Sequence, residues 1–477
     1  MDSAEAGRAG EPPDEHGPDE GGPDEGAPDE GAPDEGGFPV DIQIDLIKCE
    51  FEKNGIHVGV ARCPDGTLDF LFEEGVILVR DAYLRDVVEF LRPRDADAAA
   101  RDSATAARDT GAEEERRPAP GLLPGVTLLS LAGSRFPGVL EALDAIDAVF
   151  GVNVATPSHI LSVTPVHPCP ATEPEEVPRG TFPEPGPCEG GGGGAFIYVT
   201  DTGLLKDAGE HPWLTGVTGQ LDPPPGVPES PIRGYTGHGT FVAGVARCMA
   251  PVSQVRVSRD FDKAGALSEH ELVQRLRQAL GLGPDVINLS AGGTTRKNLP
   301  LLSFVAFWET YRHYKGAVLV ASAGNNAVRR PFWPAAFPQV VGVGALAANR
   351  RARAIFSDFG PWVDVYAPGE DLVNAYATGT YTCREPPHSG QVRHFHGMAR
   401  WSGTSFAAPL VAGLIAARIT RTGENGRQAA SSLLAQARAQ HVTGVGPVLW
   451  PCDTGDCGDH VACCCGSGHA AAGHCRC

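Results

Sequence analysis

Three short motifs in the second half of the chain hold residue types that nucleophilic catalysis requires. They are Asp201-Thr202-Gly203, His238-Gly239-Thr240 and Gly403-Thr404-Ser405. A serine hydroxyl is a poor nucleophile until a neighbouring imidazole takes its proton, and that imidazole needs a carboxylate to fix its tautomer. One such motif alone is weak evidence, because Asp-Thr-Gly is usually a turn and a lone histidine is usually structural. Together the motifs predict a catalytic triad of Asp201, His238 and Ser405.

The residues around these motifs resemble the subtilisin-like serine proteases, the subtilase family, over roughly residues 195–445. Phe196 to Gly203 is similar to the family's strand that ends in the catalytic aspartate, and Gly237 to Gly244 is similar to its histidine helix. Gly403 to Pro409 is similar to the serine motif at the start of a buried helix, whose N-terminal end favours developing negative charge. The resemblance implies a serine endopeptidase that cleaves a polypeptide substrate through an acyl-enzyme on Ser405.

The segment Ala323-Gly324-Asn325 resembles the part of the family that binds the tetrahedral oxyanion. It follows Val318 to Ser322, a predicted strand. The resemblance implies that Asn325 donates its side-chain amide to the oxyanion, alongside the backbone N–H of Ser405. The alternative is that Asn325 only caps a turn.

The segment Ile287 to Gly293 resembles the edge along which the family binds its substrate. The resemblance implies that Ser290, Ala291 and Gly292 pair with an extended peptide, which adds to the sheet as a strand. The small side chains at Ala291 and Gly292 indicate open, permissive subsites. Asn326 is uncharged, so we expect no strict preference for dibasic sequences.

One departure from the family concerns metal binding. After His238 the chain runs directly through Arg247 to Pro251, without the longer loop that resembles a calcium cradle in secreted subtilisins. The structural calcium site of the family is therefore in doubt for this chain, its calcium dependence stays open, and we assign no metal ligand and no cofactor.

Between Ala195 and about Val445, short apolar runs alternate with helical stretches such as Glu269 to Leu280. The strand-like runs are Phe196 to Val199, Val286 to Leu289, Val318 to Ser322 and Val340 to Val343. This alternation is typical of a parallel sheet flanked by helices. The predicted fold of residues 195–445 is therefore α/β, a subtilisin-like doubly wound sheet.

Residues 38–165 predict a smaller N-terminal α+β domain. Val40 to Ile47 and Ile56 to Ala61 alternate in polarity as a hairpin does, whereas Tyr83 to Leu91 and Val139 to Phe150 show helical spacing. Subtilases carry an inhibitory propeptide at this position, which implies intramolecular inhibition of the catalytic domain. An unrelated accessory domain is the alternative.

Three further segments have the composition of linkers or tails. Residues 1–37 repeat Pro-Asp-Glu every five residues and predict a disordered acidic tail. Residues 166–194 are rich in proline and glycine and predict a flexible linker. Residues 446–477 hold seven of the thirteen cysteines. Metal binding, redox cross-linking and a disordered passenger tail all stay open for this last segment.

The charge and the termini limit the class of partner. The net charge is −20, but residues 1–35 hold thirteen acidic residues and one arginine, which leaves an ordinary charge of about −8 and argues against nucleic-acid binding. The longest apolar run, Phe406 to Ile419, is too short to cross a bilayer, so no membrane contact is expected. The acidic N-terminus lacks the features of a secretory signal, which predicts a cytoplasmic location.

Three functions compete on this basis. The first is a general serine endopeptidase, and the second is a dedicated processing peptidase for one precursor peptide. The third is an inactive peptide-binding scaffold, against which the four intact catalytic positions argue.

Overall fold

Residues 39–93, 124–163, 171–183, 194–311 and 316–451 are described in the computed structural model, and all belong to one unit, Phe38–Cys477. The predictions for the acidic repeat of residues 1–37 and for the cysteines from Cys452 onward lie outside these ranges. No helix within them combines the length and apolar character needed to cross a membrane.

The N-terminal region, residues 39–163, is an antiparallel sheet with helices, as the α+β prediction requires. Its elements are α1 Pro39–Glu52, β1 Val58–Arg62, β2 Leu68–Arg80, α2 Leu84–Leu91, β3 Val126–Ser130, α3 Val139–Phe150 and β4 Ala155–Ser162. The strand order is β1-β2-β4, and β3 also pairs with β2. One apolar face of the sheet packs against α2 and α3.

The prediction of a strand at Val40 to Ile47 was wrong, because these residues lie in α1. Ile44, Ile47 and Phe51 are spaced at i, i+3 and i+7, and all three are buried. That spacing puts them on one face of a helix, where they pack with Leu71. The alternation seen over the shorter window concealed this longer helical period.

The larger region, residues 194–451, contains the predicted parallel sheet. Its elements are β5 Phe196–Asp201, β6 Thr218–Gly219, α4 His238–Met249, β7 Gln254–Arg259, β8 Ala266–Ser268, α5 Glu269–Leu280, β9 Val286–Leu289, α6 Leu302–Tyr311, β10 Val318–Ser322, β11 Val340–Leu346, β12 Val365–Pro368, β13 Leu372–Thr382, β14 Val392–Trp401, α7 Thr404–Thr422 and α8 Gly426–Ala439. Seven strands pair in parallel in the order β12-β11-β10-β9-β5-β7-β6, and β13 and β14 form a separate hairpin.

Helices cover both faces of this sheet and create two apolar cores. Ile197 and Val199 of β5 pack on one face with α4 and α7. Tyr198, which points the other way, packs with α5 and α6. Strands buried on both faces are nearly continuous in apolar residues, as the sequence of β10 shows. The doubly wound α/β fold predicted for residues 195–445 is confirmed.

Two features cross the predicted domain boundaries. β8 of the larger region pairs antiparallel with β4, so the N-terminal sheet continues into the larger region. Val448 and Leu449 are fully buried, so the folded body extends past residue 445.

Residues 171–183 of the predicted linker pack against the β13–β14 hairpin. The Ala171 N–H donates to the Ser402 carbonyl at 3.0 Å, and Glu175 and Arg400 exchange both backbone hydrogen bonds. Glu173 is buried and accepts a 2.8 Å hydrogen bond from the Tyr381 hydroxyl. The expectation of a flexible connection was wrong for these residues, because their backbone groups find partners along an exposed strand edge.

Candidate functional site

The three predicted triad residues meet at the carboxyl edge of the parallel sheet. Asp201 is the last residue of β5, His238 is the first residue of α4, and Ser405 is the second residue of α7. His238 Nδ1 lies 2.7 Å from Asp201 Oδ1. All three side chains are at most 1% exposed. Ligands of open parallel sheets bind at this edge, so the topology gives the motifs a common location.

A buried carboxylate that sequence reasoning missed, Asp222, ties the aspartate and histidine loops together. Its Oδ2 accepts hydrogen bonds from Gly237 N at 2.9 Å and from Thr202 Oγ1 at 3.2 Å. Thr202 follows Asp201 in sequence, and Gly237 precedes His238. Burial raises the pKa of Asp222 to about 6, because loss of water disfavours the charged form. No motif surrounds this residue in the sequence, so nothing there identified it.

The predicted oxyanion residue is fixed in a defined orientation. Asn325 Oδ1 accepts hydrogen bonds from Thr404 N at 2.9 Å and from Thr404 Oγ1 at 2.8 Å. Because the acceptor half of the amide is held by Thr404, the donor half, Nδ2, points away from that residue. Thr404 directly precedes Ser405, so its two hydrogen bonds to Asn325 fix the Asn325 amide relative to Ser405.

The segment predicted to bind substrate, Ser290 to Gly292, also lies at this edge of the parallel sheet. Ser290 Oγ donates a 2.8 Å hydrogen bond to the Ser405 carbonyl. Ala291 is buried within the apolar core, whereas Gly292 presents its backbone N–H and C=O to another strand. The segment therefore lies beside Ser405.

The strand paired with this edge comes from the chain's own N-terminal region. Ser162 and Gly292 exchange both backbone hydrogen bonds, each 3.0 Å long, and Val163 N donates to Gly265 O at 2.9 Å. The end of β4 thus lies between two backbone segments of the larger region. This is the pairing geometry that an extended peptide would adopt.

Three polar atoms of the triad have no hydrogen-bond partner among the described residues. They are Asp201 Oδ2, His238 Nε2 and Ser405 Oγ. Ser405 Oγ and His238 Nε2, between which a proton would pass, therefore share no hydrogen bond in this structure. Trp401 and Phe406 pack against the His238 imidazole at centroid distances of 5.7 and 5.6 Å and hold the ring in place.

Gly292 lies against an aromatic ring on the side where a side chain would project. A Cβ atom on Gly292 would overlap the ring of Phe332, a residue that sequence analysis did not single out. Within the described ranges there is also no group of three or more His, Cys, Asp or Glu side chains placed to hold a metal ion.

A family model and the sequences of known proteins indicate the same family for this chain. The model of the subtilase family, peptidase S8, matches residues 192–442. The thermophilic serine proteinase of Bacillus sp. (strain AK1) is 32% identical over 278 residues, which cover 54% of this chain and 59% of that protein. Thermitase of Thermoactinomyces vulgaris is 32% identical over 234 residues, 47% of this chain and 74% of the relative.

Among solved structures, fervidolysin from Fervidobacterium pennivorans aligns with a TM-score of 0.49 and 20% identity, over 80% of this chain and 60% of that one. The present chain spans 59% of the length of the Bacillus relative.

Proposed function

The chain belongs to the subtilase family, and from this premise we propose that it is a serine endopeptidase that uses Asp201, His238 and Ser405. The observation that carries the proposal is the buried 2.7 Å hydrogen bond between Asp201 and His238 at the sheet edge that also holds Ser405. A buried carboxylate on Nδ1 leaves Nε2 as the nitrogen that can accept a proton.

The geometry supports a two-step hydrolysis. Ser405 Oγ attacks the peptide carbonyl carbon, and its proton passes to His238 Nε2. The tetrahedral intermediate collapses, the C–N bond breaks, and the imidazolium returns the proton to the leaving amine. Water then attacks the acyl-enzyme with the same histidine as base, which releases the acid and restores the Ser405 hydroxyl. Asp201 stabilises the imidazolium in both steps.

Hydrolysis also requires that the negative charge developing on the carbonyl oxygen of the attacked peptide bond be stabilised. Asn325 Nδ2 is the donor that Thr404 leaves free to point toward that oxygen. A donor held in place before the reaction costs no reorganisation when the charge develops.

Labelling with a fluorophosphonate tests this proposal, because the reagent forms a covalent bond to an activated serine. We expect the wild-type chain to be labelled at Ser405 and the Ser405→Ala variant to be unlabelled. Ser431→Ala, which removes an exposed serine on α8, is the matched control and should label normally. Equal labelling of the wild type and Ser405→Ala would contradict the assignment. Absence of labelling both in the wild type and in a folded His159→Ala variant, whose N-terminal strand is held less firmly, would favour the inactive scaffold.

We further propose that residues 38–165 inhibit the catalytic site of the same chain. Support comes from the end of β4, which occupies the edge expected to bind substrate and is held on both sides by backbone hydrogen bonds. Leu161 and Val163 also bury their side chains in the same apolar core as Ala291. A substrate could pair with this edge only after β4 had left it.

Polar contacts strengthen the same interface. His159 Nδ1 and Glu269 Oε1 lie 2.8 Å apart, and both side chains are at most 1% exposed. Arg296, which is 7% exposed at its side chain, lies 2.8 Å from Asp147 of α3. Buried charged groups are costly to separate from their partners, so these contacts hold the inhibitory strand in place.

Maturation would then require a cut in the connection between the two regions, residues 165–194. The described chain is anchored at Val163 by Gly265 and again at Ala171 by Ser402, three residues before Ser405. We therefore expect self-cleavage between Val163 and Ala171. The measurement is the N-terminal sequence of the purified chain over time. Shortening of the wild type but not of Ser405→Ala supports self-cleavage, and shortening of both at the same bond would assign the cut to another protease.

A further inference from the structure

Phe332 is buried in an unusual place for an aromatic residue. Its side chain is 2% exposed, yet it belongs to none of the apolar core clusters formed by the described residues. Its neighbours Trp333 and Phe337 do belong to one of them. Core packing therefore does not account for the burial of the Phe332 ring.

The ring instead fills the space between two glycine-containing backbone segments. A Cβ atom on Gly292 would overlap the ring, and a Cβ atom on Gly324 would lie 2.8 Å from Phe332 Cδ2. Trp333 and Gly293 exchange both backbone hydrogen bonds at 2.9 Å, which fixes the position of Phe332 beside Gly292. One edge of the ring thus faces Gly292, and the other edge faces Gly324.

These two segments flank the reacting serine. Gly292 is two residues from Ser290, whose hydroxyl bonds the Ser405 carbonyl. Gly324 directly precedes Asn325. A peptide paired with the Ser290 edge, with its carbonyl oxygen at Asn325, must direct the side chain of the attacked residue into the space between the two segments. We call that residue P1.

We propose that Phe332 closes the far end of this P1 pocket and restricts the enzyme to cleavage after small residues such as Gly, Ala and Ser. This inference rests on the proposed peptidase function and adds the substrate class. A methyl or hydroxymethyl group needs only the mouth of the pocket. A Leu, Phe or Tyr side chain would require the volume that the ring already occupies, and closely packed interiors accommodate such overlap poorly.

The test uses two peptide diphenyl phosphonates that differ only in P1, one with Ala and one with Phe. Each phosphonylates the active serine with loss of phenoxide, so a single event per enzyme is enough. In the full chain carrying His159→Ala, which loosens β4 at the substrate edge, we expect the Ala reagent to label roughly 10- to 100-fold faster than the Phe reagent. Phe332→Ala should raise the labelling rate with the Phe reagent and bring the two rates within a few-fold of each other.

Two further variants separate specificity from folding. Phe332→Leu is a smaller truncation and should give an intermediate ratio if Phe332→Ala is poorly folded. Phe337→Leu truncates a core aromatic beside Trp333 and should keep the wild-type ratio. Labelling of the His159→Ala chain by the Phe reagent as fast as by the Ala reagent would overturn the inference and leave the peptidase function intact. Absence of labelling of the folded His159→Ala chain even by a peptide-free fluorophosphonate would contradict the proposed function itself.

Discussion

Asp201 and His238 share a 2.7 Å hydrogen bond in which neither side chain is exposed. Asp201 Oδ1 also accepts the Thr202 N–H at 2.7 Å, so the carboxylate is held by two donors. Because an ionised carboxylate can only accept, the proton of the shared bond lies on His238 Nδ1. This places the free lone pair of the imidazole on Nε2, the nitrogen that takes the Ser405 proton in the proposed mechanism.

The first prediction concerns this bond. Asp201→Asn keeps the shape of the side chain but offers an amide that can donate to Nδ1 and select the wrong tautomer. We expect kcat to fall by about 10⁴-fold with a small change in KM. Steady-state hydrolysis of a peptide with a small P1 residue measures both constants. A loss confined to KM would show that Asp201 serves substrate binding.

Much of this site could be predicted from the sequence, because its residues follow the ends of regular elements. The bounds of α3 and α5 agree with their hydrophobic periods, and β5, β9 and β10 end directly before Thr202, Ser290 and Ala323. Parallel strands bring such ends to one edge. Local pattern was therefore sufficient to place the four candidate residues at one edge of the sheet, and their catalytic roles stay predictions.

Asp222 and Phe332 could not be predicted in this way. Asp222 accepts hydrogen bonds from residues 15 and 20 positions away along the chain, and the Phe332 ring packs against Gly292, 40 positions away. Both lie in irregular segments without a period, and their roles depend on which distant backbone they meet after folding. The same limit explains the packed segment at Glu173, whose proline-rich surroundings indicated only a linker.

The second prediction assigns Asp222 a positioning role. Asp222→Ala leaves Gly237 N and Thr202 Oγ1 without their acceptor and loosens the loops that carry His238 and Asp201. We expect kcat to fall roughly 10- to 100-fold while KM changes little, which corresponds to the loss of one or two buried hydrogen bonds. Asp222→Asn retains one acceptor oxygen and should recover most of kcat. Equal losses in both variants, or a loss only in KM, would contradict this role.

The third prediction concerns the pH dependence of stability. Burial raises the pKa of Asp358 to about 7, and the Asn326 and Val328 backbone N–H groups, which both donate to Oδ1, offset this only in part. In the unfolded chain the carboxyl loses its proton near its ordinary value of 3.8. Between about pH 4 and pH 7 the folded state therefore binds more protons, and the free energy of unfolding falls as pH rises.

Asp358→Asn removes this dependence, because an amide matches the neutral acid at every pH. The difference in unfolding free energy between the variant and its parent should grow in favour of Asn from pH 4.5 to pH 7, with a slope of at most about 1.4 kcal/mol per unit, and level off above pH 7. Urea unfolding in the Ser405→Ala background avoids self-digestion. A difference that stays constant across this range would show that the Asp358 proton is not linked to folding.

The fourth prediction tests what holds the inhibitory strand. Glu269 is fully buried and accepts from His159 Nδ1 at 2.8 Å and from Ser303 N at 3.0 Å, while His159 Nε2 accepts from Arg296 N at 3.1 Å. His159→Ala removes a partner from both the carboxylate and the Arg296 N–H. Leaving a buried carboxylate and a buried N–H without their partner costs about 2 to 3 kcal/mol. We expect β4 to leave the cleft more often and the unprocessed chain to react with fluorophosphonate at least about 10-fold faster.

Two controls separate release of the strand from general unfolding. Glu89→Ala breaks the exposed 2.6 Å pair with Arg92 within the N-terminal region and should leave the labelling rate unchanged. Asp147→Asn weakens the contact with Arg296 at the same interface and should accelerate labelling as His159→Ala does. Far-ultraviolet circular dichroism of each variant checks that the fold persists. If His159→Ala and Asp147→Asn both label at the wild-type rate while remaining folded, the strand at Gly292 does not limit access to Ser405.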